Sequence, residues 1–114
     1  MSASCIFCRI ANKEIPSGIV YEDAELVAFR DLSPKAPTHV LVIPKRHVAS
    51  LDDMLESDAG LLGAMMLAAK KVAEAEGLSG GYRVVSNCGP DGGQSVSHLH
   101  LHVLGGRPMA WPPG

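Results

Sequence analysis

The sequence predicts an α+β fold in which about five antiparallel strands form one sheet with one main helix and a short N-terminal helix. Five short apolar stretches have the length and alternation of strands, and one long apolar stretch has helical spacing. Most connections are short enough for hairpins, and no alternating strand–helix series is present, which disfavours a parallel sheet. With 114 residues the chain can form one core, so we assign residues 1–114 to a single domain.

The first half of the chain predicts the short helix and three of the strands. The helix ends near residues 16–18, which contain a proline and a glycine. Residues 19–22 and 25–29 have the pattern of two strands joined by a turn. Residues 33–37 predict an extended loop, because they contain prolines and proline restricts the residue before it. Residues 38–43 then predict an apolar strand that ends at a proline.

The middle of the chain predicts the main helix. Residues 50–53 have the pattern of a capping-box variant that opens a short helix, and Ser57 is placed to cap a longer helix that reaches about Glu76 and ends at Gly77. This helix is apolar on more than one side, so it needs a second packing partner or one wide core face. Its main apolar face comprises Leu62, Met65, Met66, Ala69, Val72 and Ala73, while Leu61 and Leu67 lie elsewhere.

Composition and charge exclude several classes of protein. The net charge of −2, with both signs mixed, disfavours a nucleic-acid surface. The longest apolar run, residues 61–69, is far shorter than a membrane span, so no membrane partner is expected. The N-terminus lacks the apolar region of a signal peptide, and an odd number of cysteines suggests reduced thiols. Together these features predict a cytoplasmic protein.

The last predicted strand, residues 98–104, carries a histidine at every second position. Side chains alternate between the faces of a strand, so His98, His100 and His102 line one face about 7 Å apart, above apolar residues on the other face. Three interpretations follow. The histidines lie on a solvated face by chance, or they bind a metal ion. In the third interpretation one histidine is a nucleophile between neighbours that bind an anion and move protons.

A glycine-rich loop precedes the histidines. Residues 81–87 predict a strand, and residues 87–97 form the loop between it and the histidine strand. Glycines let the backbone approach a ligand and present N–H groups to an anion, and Gln94 and Ser95 add side-chain donors. The loop is not a Walker loop, because it lacks Gly-Lys-Ser/Thr and leads to a strand. Beside three histidines on one face, it predicts a phosphate site that contains a nucleophile.

The segment from His98 to Leu104, HLHLHVL, resembles the motif of the histidine-triad (HIT) family of nucleotide hydrolases and transferases. The flanks, residues 91–95 (DGGQS) and 105–114 (GGRPMAWPPG), resemble the Hint branch of that family, whose members are purine nucleoside phosphoramidases. The similarity continues through residues 29–47 and so covers nearly the whole chain. It implies an HIT-like fold and a symmetric homodimer, with Trp111 packed against the partner near the partner's active site.

The resemblance implies a hydrolase that cleaves the P–N bond of purine nucleoside 5′-phosphoramidates, or of related aminoacyl-AMP-like compounds. His100 is then the nucleophile that forms a nucleotidyl-histidine intermediate, and His102 donates to the phosphate. His98 is an orienting or metal-binding residue, and His39 orients its partner in the histidine row. The partners are AMP, GMP and their phosphoramidates, and catalysis needs no cofactor. The alternatives are a dinucleoside polyphosphate hydrolase of the same superfamily and a non-enzymatic module that binds AMP.

The nucleotide contacts are also implied by the resemblance. Asp31 accepts hydrogen bonds from the ribose hydroxyls, since a carboxylate can accept two donors at once, and its neighbour Leu32 packs on the base. Arg30 departs from the histidine that the Hint branch has at this position, so fine base selectivity does not carry over. The base slot comprises Ile6, Phe7, Ile10 and Phe29, and the phosphate contacts comprise Asn87, Gly93, Gln94 and Ser95.

Cys5 and Cys8 form a Cys-x-x-Cys pair that is compatible with zinc, with redox chemistry or with no function. The strand–helix–strand context of a redox pair is missing. Zinc needs two more ligands, for which His47 and His98 are the candidates. The galactose-phosphate uridylyltransferases of the same superfamily use a similar set, which includes the first histidine of the motif. A structural zinc and two free thiols both stay open.

Overall fold

The computed structural model describes residues 4–114 and contains a five-stranded antiparallel sheet with one helix on each face. The two helices and five strands follow the predicted order, and the α+β prediction is confirmed. The short helix ends at Ala11 rather than near residues 16–18, and two 3₁₀ turns, Leu51–Asp53 and Glu56–Asp58, precede the long helix. In chain order the helices and strands are α1 (Ile6–Ala11), β1 (Ile19–Glu22), β2 (Leu26–Arg30), β3 (Thr38–Pro44), α2 (Ala59–Ala75), β4 (Tyr82–Val85) and β5 (Leu101–Gly105).

The sheet has the strand order β1-β2-β3-β5-β4, so the pair β3–β5 occupies its interior. Side chains alternate along each strand and therefore build two cores. Val40 and Val42 of β3 face α2 and pack with Met65 in the larger core. Leu41 lies on the opposite face and packs with Phe7 of α1 in the smaller core. The polar site described below lies on the face that α1 covers.

The histidine strand is shorter than predicted, because pairing begins at Leu101 rather than His98. In the register of β3 with β5, Val42 lies opposite Leu101, which places Pro44 opposite Leu99. Proline has no N–H to donate to a strand ladder, and β3 ends there. The N–H of Leu99 bonds instead to the carbonyl of Val48, at 2.7 Å.

The start of the main helix also differs from the prediction. α2 begins at Ala59, and the side chain of Asp58 accepts from the N–H of Leu55 at 2.9 Å. The predicted helix at residues 50–53 is a single 3₁₀ turn, in which the Ser50 hydroxyl bonds to a side chain rather than to a backbone N–H. The helix end is as predicted, because Gly77 adopts a positive φ of 72°.

The buried face of α2 is narrower than predicted. Met65 is fully buried, whereas Met66, which the sequence placed on the same face, is 49% exposed. Consecutive residues on a helix are rotated by about 100°, so Met66 lies off the buried stripe centred on Met65. Leu67 is 60% exposed beside it. Within residues 4–114, no helix is both long enough and apolar enough to cross a membrane.

Candidate active site

A cleft of about 290 Å³ opens on the α1 face of the sheet. One end is apolar and lies under α1, and the other end reaches the imidazoles of His100 and His102. Predicted residues supply much of the wall: Ile6, Phe7, Ile10, Phe29, Asp31, Leu32, Ser95, His100 and His102. Sequence reasoning missed Ile15, Pro16, Ser17, Leu41 and Val96 as wall residues, since no local pattern indicates which loop faces a strand on the other side of a cleft.

The ring of His100 has a defined protonation pattern. Its Nδ1 lies 2.7 Å from the backbone carbonyl of His98. A carbonyl only accepts, so Nδ1 donates and a neutral ring keeps a free electron pair on Nε2. His100 is buried, and the ring of Phe7 meets it edge-on with centroids 5.2 Å apart. In the neutral ring, this arrangement leaves the electron pair of Nε2 available to a ligand in the cleft.

His102 has the opposite pattern, and a backbone amide sets it. The N–H of Lys35 donates to Nδ1 of His39 at 3.0 Å, so the neutral ring of His39 carries its proton on Nε2. That nitrogen lies 2.8 Å from Nδ1 of His102 and donates to it. The proton of a neutral His102 is therefore on Nε2, where it can be donated to an anionic oxygen in the cleft.

Burial favours the neutral form of both His39 and His102. Desolvation first, and then repulsion from the neighbouring His100 and His39 rings, lower the pKa of His102 to about 4, although the Asp31 carboxylate opposes the shift. Desolvation likewise lowers the pKa of His39, although the nearby Asp31 carboxylate opposes the shift. At neutral pH the tautomers are thus fixed by hydrogen bonds rather than by charge.

Asp31 lies at the wall of the cleft, directly after β2. Its Oδ1 accepts from the N–H of Ser33 at 2.8 Å, and its Oδ2 lies 3.4 Å from Nε2 of His39. Each carboxylate oxygen has a second lone pair, so the group keeps acceptor capacity toward the cleft. Its predicted role as the ribose ligand stays a prediction.

Hydrogen bonds within the protein occupy most of the glycine-loop groups that were predicted to bind phosphate. Asn87 donates to the carbonyl of Gly92 at 2.7 Å. The Gln94 amide donates to Ala49 and Val96 carbonyls and accepts from the N–H of Gly89. The backbone N–H groups of Gly93 and Gln94 bond to carbonyls within the loop. Of the four predicted phosphate contacts only Ser95 lines the cleft, so the roles of Asn87, Gly93 and Gln94 stay predictions.

One glycine of the loop is required by a close approach. A Cβ at Gly92 would lie 2.4 Å from the carbonyl oxygen of Cys88, which no side chain can tolerate. Gly93 has a positive φ of 76°, a conformation that glycine adopts without strain. The glycines therefore shape the turn that delivers Ser95 to the cleft.

The two cysteines and two histidines predicted as metal ligands lie together beside the cleft. Nδ1 of His98 is 3.3 Å from Sγ of Cys5 and 3.2 Å from Nδ1 of His47. Nδ1 of His47 is in turn 3.2 Å from Sγ of Cys8. Zinc bonds of about 2.0–2.3 Å in a tetrahedron separate the ligands by about 3.3–3.8 Å. The separations of 3.2 and 3.3 Å lie within a few tenths of an ångström of these values, so the four side chains suit a zinc ion.

The protonation of His98 also suits a metal. Its Nε2 donates to the carbonyl of Pro44 at 2.8 Å, which leaves Nδ1 unprotonated and directed at the cysteines. Burial lowers the pKa of His98 and favours its neutral form. A second grouping, Asp31 with His39 and His102, also lies within metal-binding distance, and the hydrogen bonds described above account for it.

The fold and the cleft define a class of protein: a ligand-binding α+β domain that places an apolar slot next to a carboxylate and two oppositely protonated imidazoles. A ligand with a ring at one end and an anionic group at the other fits such a cleft. Residues 12–109 match the family described as the HIT domain. The chain belongs to this family, as its histidine motif predicted.

Similar proteins support this assignment along the whole chain. An uncharacterised HIT-like protein of Synechococcus elongatus is 54% identical over 114 residues, which are 100% of both chains. The crystal structure of a HIT family hydrolase from Legionella pneumophila is 54% identical with a TM-score of 0.95, covering 97% of this chain and 100% of that one. A histidine triad nucleotide-binding protein from Candida albicans is 34% identical with a TM-score of 0.81, covering 96% and 83%.

Proposed function

We propose that the protein hydrolyses the P–N bond of purine nucleoside 5′-phosphoramidates through a nucleotidyl-histidine intermediate. The observation that carries this proposal is the hydrogen bond from Nδ1 of His100 to the carbonyl of His98, which leaves Nε2 as a free nucleophile in the cleft. The similar proteins named above include a hydrolase and a nucleotide-binding protein, and both descriptions agree with it.

In the first step Nε2 of His100 attacks the α-phosphorus, and the bond from phosphorus to the amine nitrogen breaks. The amine leaves with the bonding electrons and one proton, for which the Ser95 hydroxyl, exposed in the cleft wall, is the candidate donor. In the second step water attacks the same phosphorus and the P–Nε2 bond breaks. The hydroxide part of water adds to phosphorus, and the remaining proton of water returns to Ser95, which had given its proton to the amine. Two displacements replace one difficult step.

His102 stabilises the charge that develops during both steps. Negative charge accumulates on the equatorial oxygens of the phosphoryl group, so a donor that is already oriented lowers the barrier. The Nε2–H of His102 is such a donor, held by the hydrogen-bonded chain from Lys35 through His39. Asp31 binds the ribose, and the apolar slot around Phe7 and Phe29 holds the base.

We further propose that Cys5, Cys8, His47 and His98 hold a structural zinc ion. Their separations fit a tetrahedral site, and thiolate and imidazole are ligands that zinc prefers. When bound, the ion would connect α1 to the loop before β5. His98 would then act through its backbone carbonyl, which orients His100, and not as a proton carrier.

The test is turnover of a fluorogenic adenosine 5′-phosphoramidate by the wild type, His100→Ala and Cys88→Ala. We expect His100→Ala to lose at least about 1,000-fold in kcat, because removal of a nucleophile eliminates the covalent route. Cys88 lies outside the cleft lining, so Cys88→Ala is the control that keeps wild-type turnover.

Further measurements separate the alternatives. Turnover in the wild type is expected to persist in EDTA as long as the protein stays folded, because the proposed route uses no metal ion at phosphorus and the proposed zinc contributes only to the stability of the fold. Trapping with substrate at low pH and mass spectrometry should find the nucleotidyl adduct on the peptide that contains His100. Equal rates for wild type and His100→Ala would refute the nucleophilic mechanism. Faster turnover of a dinucleoside polyphosphate than of the phosphoramidate would assign the other superfamily activity.

A further inference from the structure

The hydroxyl of Ser17 is buried in the wall of the cleft and has no hydrogen-bond partner. Within residues 4–114 it is the one buried side-chain nitrogen or oxygen in this state. Buried polar groups are almost always paired, because leaving one unpaired costs free energy. An unpaired hydroxyl in the wall of a ligand cleft is therefore a candidate contact for the ligand.

Ser17 lies at the end of the cleft opposite the histidines. It directly precedes Gly18, whose carbonyl accepts from the N–H of Arg30 at the end of β2. The strand order places β1 three positions from β5, the strand of His102, and three strand spacings amount to about 14 Å. A nucleotide whose phosphate meets the histidines would thus direct its base toward Ser17.

The surroundings of Ser17 suit the edge of a flat ring. Ile10 and Ile15 contribute apolar wall at the same end of the cleft. Arg30 also lines this end, but its two terminal nitrogens bond to the Glu76 carboxylate at 2.7 and 3.0 Å. The Ser17 hydroxyl, by contrast, is uncommitted, and one side-chain bond rotation re-aims it.

We infer that the Ser17 hydroxyl is the hydrogen-bond partner of the base, at the edge farthest from the ribose, and a specificity-determining residue for 6-substituted purines. This inference rests on the proposed nucleotide site. A hydroxyl both donates and accepts, so it can serve the 6-amino group of adenine and the 6-oxo group of guanine. The residue therefore supports binding of both purines and disfavours a purine that lacks a 6-substituent.

Calorimetric titration with AMP, GMP and purine riboside 5′-monophosphate tests this role in the wild type and Ser17→Ala. We expect AMP and GMP to bind Ser17→Ala about fivefold more weakly, the factor that corresponds to one neutral hydrogen bond of about 1 kcal/mol. Purine riboside monophosphate, which has no 6-substituent, should change less than about twofold. Ser79→Ala removes an exposed hydroxyl away from the cleft and is the matched control.

Two more variants separate recognition of the base from an effect on folding. Ser17→Thr keeps the hydroxyl and should keep the preference for AMP over purine riboside monophosphate. Ser95→Ala, at the histidine end of the cleft, should weaken all three nucleotides by the same factor. Without nucleotide, Ser17→Ala should melt no lower than the wild type, because it removes an unpaired buried group.

The outcomes distinguish this inference from the proposed function. A wild type that binds AMP while Ser17→Ala binds it equally well would overturn the role of Ser17 alone. Equal weakening of all three nucleotides by Ser17→Ala would also overturn it, because the effect would not depend on the base edge. A wild type that binds none of the nucleotides would overturn the nucleotide site and the role of Ser17 together.

Discussion

The imidazoles of His100 and His102 lie next to each other, with ring centroids 5.0 Å apart, yet their Nδ1 atoms have opposite roles. Nδ1 of His100 donates to a carbonyl, and Nδ1 of His102 accepts from His39. At the scale of single residues the site is therefore defined by which nitrogen carries the proton. Two backbone groups, the carbonyl of His98 and the N–H of Lys35, make that assignment.

Replacement of His39 should reduce kcat with little change in KM. His39→Leu removes the donor to Nδ1 of His102, so the second ring loses its tautomer and orientation, and we expect about a 100-fold loss in kcat. His39→Gln places an amide near the lost Nε2 and should recover part of that loss. Steady-state kinetics of both variants is the measurement, and an unchanged kcat in His39→Leu would contradict the chain of hydrogen bonds.

The lowered pKa of His102 should make the protein less stable in weak acid. Its pKa falls from about 6.5 in the unfolded chain to about 4 in the folded one, so the unfolded state binds more protons below pH 6.5. The free energy of unfolding then decreases as pH drops through this window, by about 2 kcal/mol at pH 5 from this residue. Urea unfolding at pH 7.5 and pH 5 should show a smaller decrease in His102→Gln than in the wild type. Equal decreases would show that His102 is not the group responsible.

At the scale of elements, α1 and α2 depend on different interactions. α1 has six residues, fewer than an isolated helix needs for stability, and Cys5 and Cys8 tie it to His47 and His98. α2 has 17 residues and packs on the sheet through one buried stripe. The short helix that covers the cleft is therefore sensitive to the cysteine–histidine site, and the long helix to its core contacts.

Zinc analysis of purified protein tests the metal site. We expect about one equivalent in the wild type and in Cys88→Ser, and a loss of most of it in Cys8→Ser, because thiolate is a principal ligand. Cys8→Ser should also unfold at lower temperature when zinc is supplied, since metal binding to the folded state contributes to stability. Less than about 0.2 equivalents in carefully purified wild type would exclude the four-ligand site.

Two neighbouring methionines on α2 provide a matched pair for core packing. Met65 is fully buried, so Met65→Ala should lower the free energy of unfolding by about 2–5 kcal/mol. Met66 is half-exposed, so Met66→Ala should cost no more than about 0.5 kcal/mol in a dilute monomer. Urea unfolding measures both changes, and similar costs for the two substitutions would contradict the buried stripe.

At the scale of the whole molecule, a single chain exposes several large apolar side chains. Leu67 is 60% exposed on the outer face of α2, near the half-exposed Met66. Trp111 of the C-terminal tail is 83% exposed, although Arg83 bonds to the carbonyl of Ala110 and fixes the tail nearby. A contiguous apolar patch is typical of a subunit interface, whereas apolar side chains exposed singly are ordinary on any protein surface. The homodimer with Trp111 against the partner stays a prediction.

Sedimentation of two leucine variants tests that dimer. Leu67→Glu places a charge on the outer face of α2 and should convert the dimer to a monomer, because an unpaired charge in an apolar interface is costly. Leu55→Glu makes the same change at a leucine that is 69% exposed on the turn before α2, and should leave the dimer intact. A monomeric wild type at micromolar concentration would refute the interface.

Local patterns in the sequence determined the elements and the residue types of the site. Short apolar stretches identified the five strands, and alternation placed the three histidines on one face. The pair Cys5 and Cys8 indicated a zinc site, whose occupancy stays a prediction. These features depend on neighbours within a few positions along the chain, so one sequence suffices to read them. Family membership followed from the same local motif.

Only the tertiary structure decided where β5 begins, which nitrogen of each histidine carries a proton, and which residues line the cleft. His39 meets His102 across 63 positions of the chain, and Cys5 meets His98 across 93. Pro44, on the neighbouring strand β3, prevents the ladder from extending to the residues before β5. The Ser17 hydroxyl is unpaired because none of the groups packed around it forms a hydrogen bond with it. The physical reason is common to all four: the partners are distant in sequence, and only the packed chain determines whether a polar group meets a donor, an acceptor or none.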